Sequence, residues 1–280
     1  MPPALSVLEK TFGYSSFRGQ QAEIIQTVVD GGDALVLMPT GGGKSLCYQI
    51  PSLVRGGTGV IVSPLIALMQ DQVEALHQLG VRAAFLNSTL DFEQQRQIEI
   101  AMEHGELDML YIAPERLVQE RTLQFLERVH IALFAIDEAH CVSQWGHDFR
   151  PSYRDLRCLR EQFPRARIHA YTATATERVR DDIVRSLALE APCVLAGSFD
   201  RPNLTYRFVP RTNLHEQLRV IAARHRGQAG IVYCIRRTDV EQFAAFLKRA
   251  GYHALPYHAG LAADVRRRNQ DRFLREDAAI

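Results

Sequence analysis

Apolar residues gather in short runs: Ala34–Met38, Gly59–Ser63, Met109–Ala113, Ile131–Asp137 and Ile168–Thr172. Val, Ile and Leu occupy both parities of these runs. Each run would therefore bury both of its faces, as strands do in a parallel sheet covered by helices. Between them lie stretches with helical spacing of apolar positions, such as Leu65–Leu79, Phe92–His104 and Glu177–Leu187. Strand–helix alternation of this kind predicts a doubly wound α/β domain. Loop chemistry interrupts it between Gly197 and Pro210. The alternation then restarts, with Leu214–His225 helical, Gly230–Cys234 a strand, Thr238–Ala250 helical, His253–Tyr257 a strand and Val265–Arg275 helical. A first domain over residues 1–200 and a second over 201–280 are expected. The second has fewer strands than a complete parallel α/β domain needs, so the chain reads as cut at Ile280.

At 280 residues the chain exceeds one typical domain of roughly 100–200 residues. Its 46% apolar and 23% charged residues suit a globular protein with a sizeable core. A net charge of +1 does not announce a nucleic-acid binder, so any basic surface must be local. Cys47, Cys141, Cys158, Cys193 and Cys234 are scattered without a CxxC pair, which speaks against a disulfide framework or a zinc site within the chain. The first residues lack the charged-then-apolar pattern of a secretory signal. No apolar run approaches the roughly 18 residues of a membrane span. A cytoplasmic, nucleoid-associated protein is the expectation.

Two motifs carry chemistry. Met38-Pro39-Thr40-Gly41-Gly42-Gly43-Lys44-Ser45 follows a strand and opens a helical stretch. Its glycines let successive backbone N–H groups turn toward an anion. Lys44 would reach the β- and γ-phosphates of ATP, and the Ser45 hydroxyl would ligate Mg²⁺. The strict phosphate-loop pattern has glycine where this chain has Met38. Downstream, Leu133-Phe134-Ala135-Ile136-Asp137-Glu138-Ala139-His140 is an apolar strand ending in two acids. Asp137 suits a Mg²⁺ ligand, and Glu138 suits the group that orients or deprotonates an attacking water. Acids at a helix start also complement its dipole, but that does not account for their pairing with an upstream phosphate loop.

Thr40–Ser45 together with Asp137-Glu138-Ala139-His140 resembles the superfamily 2 helicases. The longer string Ala139-His140-Cys141-Val142-Ser143-Gln144-Trp145-Gly146-His147-Asp148-Phe149-Arg150-Pro151 resembles the aromatic-rich loop of RecQ DNA helicases. Further stretches agree in order: Phe12-Gly13-Tyr14 with Phe17-Arg18 and Gln21, Ser63-Pro64-Leu65, Tyr111–Leu117, Thr172-Ala173-Thr174, Ser198–Asn203 and Tyr257–Leu261. The resemblance runs from about Phe12 to the last residue. Its implied fold is a P-loop RecA-like parallel sheet flanked by helices, followed by a partial second RecA-like domain.

The resemblance also implies roles. Tyr14, Arg18 and Gln21 would form an adenine pocket by stacking and by amide hydrogen bonds, although Gly19-Gln20 stands where the family usually has Pro-Gly. Phe17 reads better as a core aromatic. His140, Gln144, Trp145, His147, Phe149 and Arg150 would sense DNA, since Trp145 and Phe149 can stack on unpaired bases without choosing sequence. Thr172 and Thr174 would link the acids to that loop, and His258 would face single-stranded DNA from the second domain. On their own, the Thr-Ala-Thr run is a strand edge or cap, and His258 a turn residue. Arg266-Arg267-Arg268 reads as a solvated helix face.

The implied function is ATP-dependent 3′-to-5′ DNA unwinding in repair and recombination. The expected ligands are ATP and Mg²⁺, with zinc only in a C-terminal region beyond this chain. Single-stranded and forked DNA, single-strand-binding proteins and repair proteins are the implied partners. An RNA helicase and a non-catalytic nucleotide- and DNA-binding module are the rival classes. The arginine that would reach the γ-phosphate from a complete second domain has no match here, so residues 1–280 alone are expected to bind ATP without unwinding DNA.

Overall fold

The computed structural model describes residues 3–87, 90–146, 148–197 and 203–280. The chain divides into two compact units, Met1–Arg201 and Pro202–Ile280. His147 and residues 198–202 of the Ser198–Asn203 motif lie outside the described residues.

The five apolar runs of the first unit become strands of one parallel sheet: β1 Ala34–Leu37, β2 Thr58–Val62, β4 Met109–Ile112, β5 Ile131–Ile136 and β6 Ile168–Thr172. Two more join them, β3 Ala83–Leu86 and β7 Cys193–Ala196. The order is β3-β4-β2-β5-β6-β1-β7, and every pairing is parallel. Side chains alternate strictly between two cores. Leu35, Leu37, Val60 and Val62 enter one, whereas Ala34, Val36, Met38 and Ile61 enter the other. A strand buried on both faces has this pattern.

Helices cover the two faces. They are α1 Pro3–Phe12, α2 Gln21–Val29, α3 Leu46–Val54, α4 Ile66–Gln78, α5 Phe92–Glu103, α6 Pro114–Leu117, α7 Glu120–Leu126, α8 Pro151–Arg154, α9 Cys158–Gln162 and α10 Glu177–Ser186. Helix α5 starts at a full capping box, in which Asp91 accepts from the Gln94 amide at 2.8 Å and Gln94 accepts from the Asp91 amide at 3.0 Å. Phe17 packs half-buried against the core beside α1 and α2.

Asp33, at the entrance to β1, ties three segments together. Its fully buried carboxylate accepts from the backbone amides of Ile168 at 3.2 Å and Glu190 at 2.8 Å, and pairs with the Arg160 guanidinium. It thus pins β1 between the start of β6 and the approach to β7.

In the second unit the helices form as expected: α11 Leu214–Arg224, α12 Arg237–Arg249 and α13 Ala263–Arg275. The expected strands Gly230–Cys234 and His253–Tyr257 do not. Both segments turn instead toward the last two residues. Gly230 donates to the Ala279 carbonyl at 3.0 Å, Leu255 to the Ile280 carbonyl at 2.7 Å, and Ile280 to the His253 carbonyl at 2.9 Å. A ladder needs a partner of comparable length, and two residues supply only these bonds. Tyr233 and Ile235 consequently stand exposed. A small core of Ala222, Ala244, Leu247 and Ala254 holds the unit. Among the described residues no helix is long and apolar enough to cross a membrane.

Candidate nucleotide site and aromatic loop

Sheet order decides which chain segments meet. Strands β1, β6 and β5 are neighbours, so their C-terminal ends bring together the phosphate loop, Thr172 and the Asp137–Glu138 pair. Ligands of open α/β sheets bind in this crevice, beyond the carboxyl ends of the strands.

The phosphate loop runs from Met38 to Ser45, where α3 begins. Gly41 and Gly43 take φ of +78° and +81°, a region where a Cβ is strained. At Gly43 a Cβ would also collide with the Gln21 side chain. Met38, at the position where the strict pattern has glycine, is a buried core residue. The result is a backbone cradle at a helix N-terminus, followed by a lysine and a hydroxyl. Those donors fit a nucleoside triphosphate and its Mg²⁺.

Opposite the cradle, Asp137 is buried. Its backbone amide donates to the Val62 carbonyl at 2.9 Å, and its carbonyl accepts from the Tyr153 hydroxyl at 2.9 Å. Burial pushes its carboxyl up to about 6, against the pull of the Lys44 ammonium. A cation bound beside it would reverse that shift. Glu138 sits in the left-handed region at φ +49°, a strained conformation for a side-chain-bearing residue that packing must enforce. It faces Lys44 Nζ at 3.8 Å through one oxygen and His140 Nδ1 at 3.3 Å through the other. His140 Nδ1 also lies 3.0 Å from Thr172 Oγ1. Thr172 in turn accepts from the Thr174 amide and donates to the Thr174 carbonyl. Thus Lys44, Glu138, His140 and Thr172 form one polar chain across the crevice.

Tyr14, Arg18 and Gln21 lie along the approach to α2. The Arg18 guanidinium carbon stands 5.7 Å from the Tyr14 ring centroid. Gln21 is buried, and its amide joins the Arg18 backbone N–H to the Gly43 carbonyl, at 2.8 and 3.1 Å. It therefore couples the expected base pocket to the phosphate loop, a bridging role that the amide's chemistry alone did not indicate.

The aromatic loop leaves directly from His140. Gly146 packs so closely that a Cβ there would lie 2.6 Å from the His140 carbonyl. Arg150 donates from its amide to the Cys141 carbonyl at 2.9 Å and from its side chain to the Pro64 carbonyl at 3.1 Å, and it pairs with Asp148 at 3.0 Å. The Cys141 thiol donates to the same Asp148 carboxylate at 3.7 Å. Burial pushes that thiol up to about 12, so it stays protonated. His140, Cys141 and Asp148 offer donor atoms within 4.8 Å of one another. The protonated thiol and the Arg150-paired carboxylate make this group a hub anchoring the loop.

Gln144, Trp145 and Phe149 are exposed, Trp145 at 59% of its surface, so the single tryptophan is not a core residue. Arginines face both aromatics: Arg178 of α10 over Trp145 and Arg154 of α8 over Phe149. Neither arginine carries a motif signal, because their partners are chosen by tertiary placement. His258 belongs to the second unit. It pairs with Glu241 at 2.9 Å and accepts from the Gly260 amide at 3.1 Å.

A glycine cradle and a paired-acid strand end on a parallel sheet define a P-loop nucleotide-binding core. The chain belongs to the DEAD/DEAH box helicase family, which matches residues 18–183. It is 45% identical over 279 residues to the ATP-dependent DNA helicase RecQ of Haemophilus influenzae, covering 100% of this chain and 45% of that protein. It is 42% identical to the ATP-dependent DNA helicase RecQ of Bacillus subtilis, covering 99% and 47%. The chain thus spans about half the length of these relatives. In fold it is similar to the crystal structure of the DUF1998 helicase MrfA bound to DNA, with a TM-score of 0.73 at 16% identity, covering 100% of this chain and 44% of that one. A hypothetical ATP-dependent RNA helicase from Sulfolobus tokodaii gives a TM-score of 0.56 at 21% identity, covering 100% and 81%. These two likenesses concern the fold alone.

Proposed function

We propose that this chain is the ATP-binding part of a RecQ-type ATP-dependent DNA helicase, which couples nucleotide hydrolysis to 3′-to-5′ movement on single-stranded DNA. The observation that carries the reading is the polar chain Lys44–Glu138–His140–Thr172, which continues without a break into the aromatic loop. Few arrangements give a reason for an ATP site to share a histidine with an exposed tryptophan; coupling hydrolysis to unpaired bases does.

Within this reading the cradle amides of Gly41–Gly43 and Lys44 Nζ hold the β- and γ-phosphates. Ser45 and Asp137 hold Mg²⁺, which when bound neutralises charge developing on the phosphate oxygens. Glu138 orients the attacking water and takes its proton at a carboxylate oxygen. His140 contacts that same carboxylate and Thr172, so a change in Glu138's hydrogen bonding is felt at Cys141 and Gly146. Tyr14 and Arg18 stack on adenine, and Gln21 exchanges its internal bonds for the base edge. Trp145, Phe149 and Gln144 meet bases, while His147 and Arg150 meet phosphate. Thr174 relays the Thr172 position, and His258 meets DNA from the second unit.

The partners on this reading are single-stranded and forked DNA, with single-strand-binding and repair proteins alongside. The setting is the nucleoid-associated cytoplasm, and any zinc site lies outside residues 1–280. The test is anisotropy of a labelled single-stranded oligodeoxynucleotide titrated with the chain, with and without a Mg²⁺–ATP analogue. Nucleotide-dependent DNA binding, stronger than for the matching oligoribonucleotide, is expected. DNA affinity indifferent to nucleotide in the chain would remove the coupling reading, and a preference for RNA would favour the rival helicase class.

A further inference from the structure

Arg178 is the second residue of α10, the helix that follows the Thr172–Thr174 segment. Its guanidinium carbon lies 3.3 Å from the centroid of the Trp145 ring, van der Waals contact for a flat cation on a flat π face. With this cover in place, Trp145 still exposes 59% of its surface, so the ring remains widely accessible. The loop is anchored just after Trp145, where the Gly146 amide donates to the Ser143 carbonyl at 3.0 Å, and again at Arg150, whose amide donates to the Cys141 carbonyl at 2.9 Å, while the Trp145 amide itself donates to Ser143 Oγ at 3.2 Å. An exposed indole on such a loop has rotamer freedom that stacking on a base must remove.

We infer that Arg178 is a positioning residue. It stacks on one face of Trp145 and presets the ring so that an unpaired base stacks on the remaining surface, giving an arginine–tryptophan–base sandwich. Arg154, 5.8 Å from the Phe149 ring centroid, repeats the pairing more loosely at the other aromatic. The inference rests on the proposed DNA-sensing role of the loop. It adds a second route from the nucleotide site: His140 meets Thr172 at the end of β6, and the chain from Thr172 reaches Arg178 in the first turn of α10, which lies on Trp145. Stacking uses the face of the guanidinium and leaves its in-plane N–H donors at the edge. The proposal assigns the effect of Arg178 to the ring, and the salt dependence of binding separates that from a phosphate contact.

Trp145 is the only tryptophan, so fluorescence excited at the red edge of the indole band, where the tyrosines do not absorb, reports this residue alone. The experiment compares the 280-residue chain with Arg178→Ala and Arg178→Lys in two arms. In the DNA-free arm, acrylamide quenching of the emission should rise in both variants, since lysine keeps the charge but not the flat stack. In the second arm, titration with an oligodeoxythymidylate should quench wild-type emission. Both variants should need about 2–5 times more DNA for half the change, the effect of an exposed cation–π contact. The slope of log affinity against log salt should stay that of the wild type, because no phosphate contact is lost.

Unchanged acrylamide quenching in Arg178→Ala overturns the stack. Altered quenching with unchanged DNA affinity overturns positioning. Lysine restoring wild-type affinity, with a salt slope shallower by about 0.7 in the alanine variant, assigns Arg178 to a phosphate instead. If DNA binds wild type without changing the emission, the base-sensing role of Trp145 fails and the sandwich fails with it.

Discussion

Replacing Asp33 with alanine removes a fully buried charge that ties three segments of the first unit together. The carboxylate is fully buried and serves three donors: the Ile168 and Glu190 amides and the Arg160 guanidinium. Arg160 is itself largely buried, with 11% of its side chain exposed, and its Nε donates to the Ala188 carbonyl at 3.2 Å. Asp33→Ala leaves a buried cation without its counter-charge, which costs about 3–5 kcal/mol. Two orphaned amides add about 1–3 kcal/mol each where water does not reach them. Set against a total of about 5–15 kcal/mol for a domain, a loss of at least about 4 kcal/mol removes much of the unit's stability. Asparagine keeps one acceptor but not the charge, so Asp33→Asn should cost roughly half as much. Removing the stranded cation as well, in Asp33→Ala with Arg160→Met, should return about 2 kcal/mol as a non-additive coupling. The assay is urea unfolding followed by far-UV circular dichroism. With a slope of about 2 kcal/mol per molar urea, the midpoint of the alanine variant should drop by about 2 M. A midpoint within about 0.3 M of wild type, or a double variant no better than Asp33→Ala, would mean that the carboxylate does not tie these segments together.

Other outcomes follow from the same geometry. Glu138→Gln keeps shape and hydrogen bonding but loses the base, so in a protein of the relatives' length it should retain Mg²⁺–ATP while turnover falls about 10²–10⁴-fold; wild-type turnover would exclude Glu138 as the base. Trp145→Ala should weaken single-stranded DNA binding by about 1–3 kcal/mol and leave nucleotide affinity unchanged in the chain, measured by anisotropy and calorimetry. His169 lies fully buried in β6, and burial together with Arg55, Arg167 and Arg160 holds its ring at about 3, below the usual value of 6.5. The unfolded chain therefore binds the proton more tightly. His169's contribution should decline by up to about 1.4 kcal/mol per unit as pH falls from 6.5 toward 3, and His169→Leu should flatten that part of the stability profile; an unchanged profile would mean the ring charges in place.

The central strands were legible because burial on both faces writes continuous apolar runs, as in Val60-Ile61-Val62 and Leu133–Ile136. Strands β3 and β7 were not. They lie at the two edges, where Ala83-Ala84 and the exposed Val194 carry neither a long run nor an alternation. The strands expected at Gly230–Cys234 and His253–Tyr257 have the right composition. A strand, however, is a pairing property, and among the described residues their partner run is Ala279–Ile280. In the candidate site, the cradle with Lys44 and Ser45 and the acid pair Asp137–Glu138 were picked out by their spacing, and the sheet order brings the two to one crevice. Asp33, Tyr153 and Arg178 were not, because each acts on a partner far away in the chain or through an aromatic face that no motif encodes. Gln21 was expected in a base pocket; its bond to the Gly43 carbonyl depends on how α2 packs beside the phosphate loop.

On the proposed function, the cradle beginning at Gly41 and the acids beginning at Asp137 form one Mg²⁺–ATP site. Calorimetric titration of Mg²⁺–ATP into the chain and into Lys44→Ala decides whether they do. One nucleotide should bind per wild-type chain. The variant should lose about 100-fold or more in affinity, since the ammonium's charge-assisted contacts to the phosphates are each worth about 1.5–3 kcal/mol. Equal affinities in the two proteins, with both folded by circular dichroism, would place the nucleotide elsewhere.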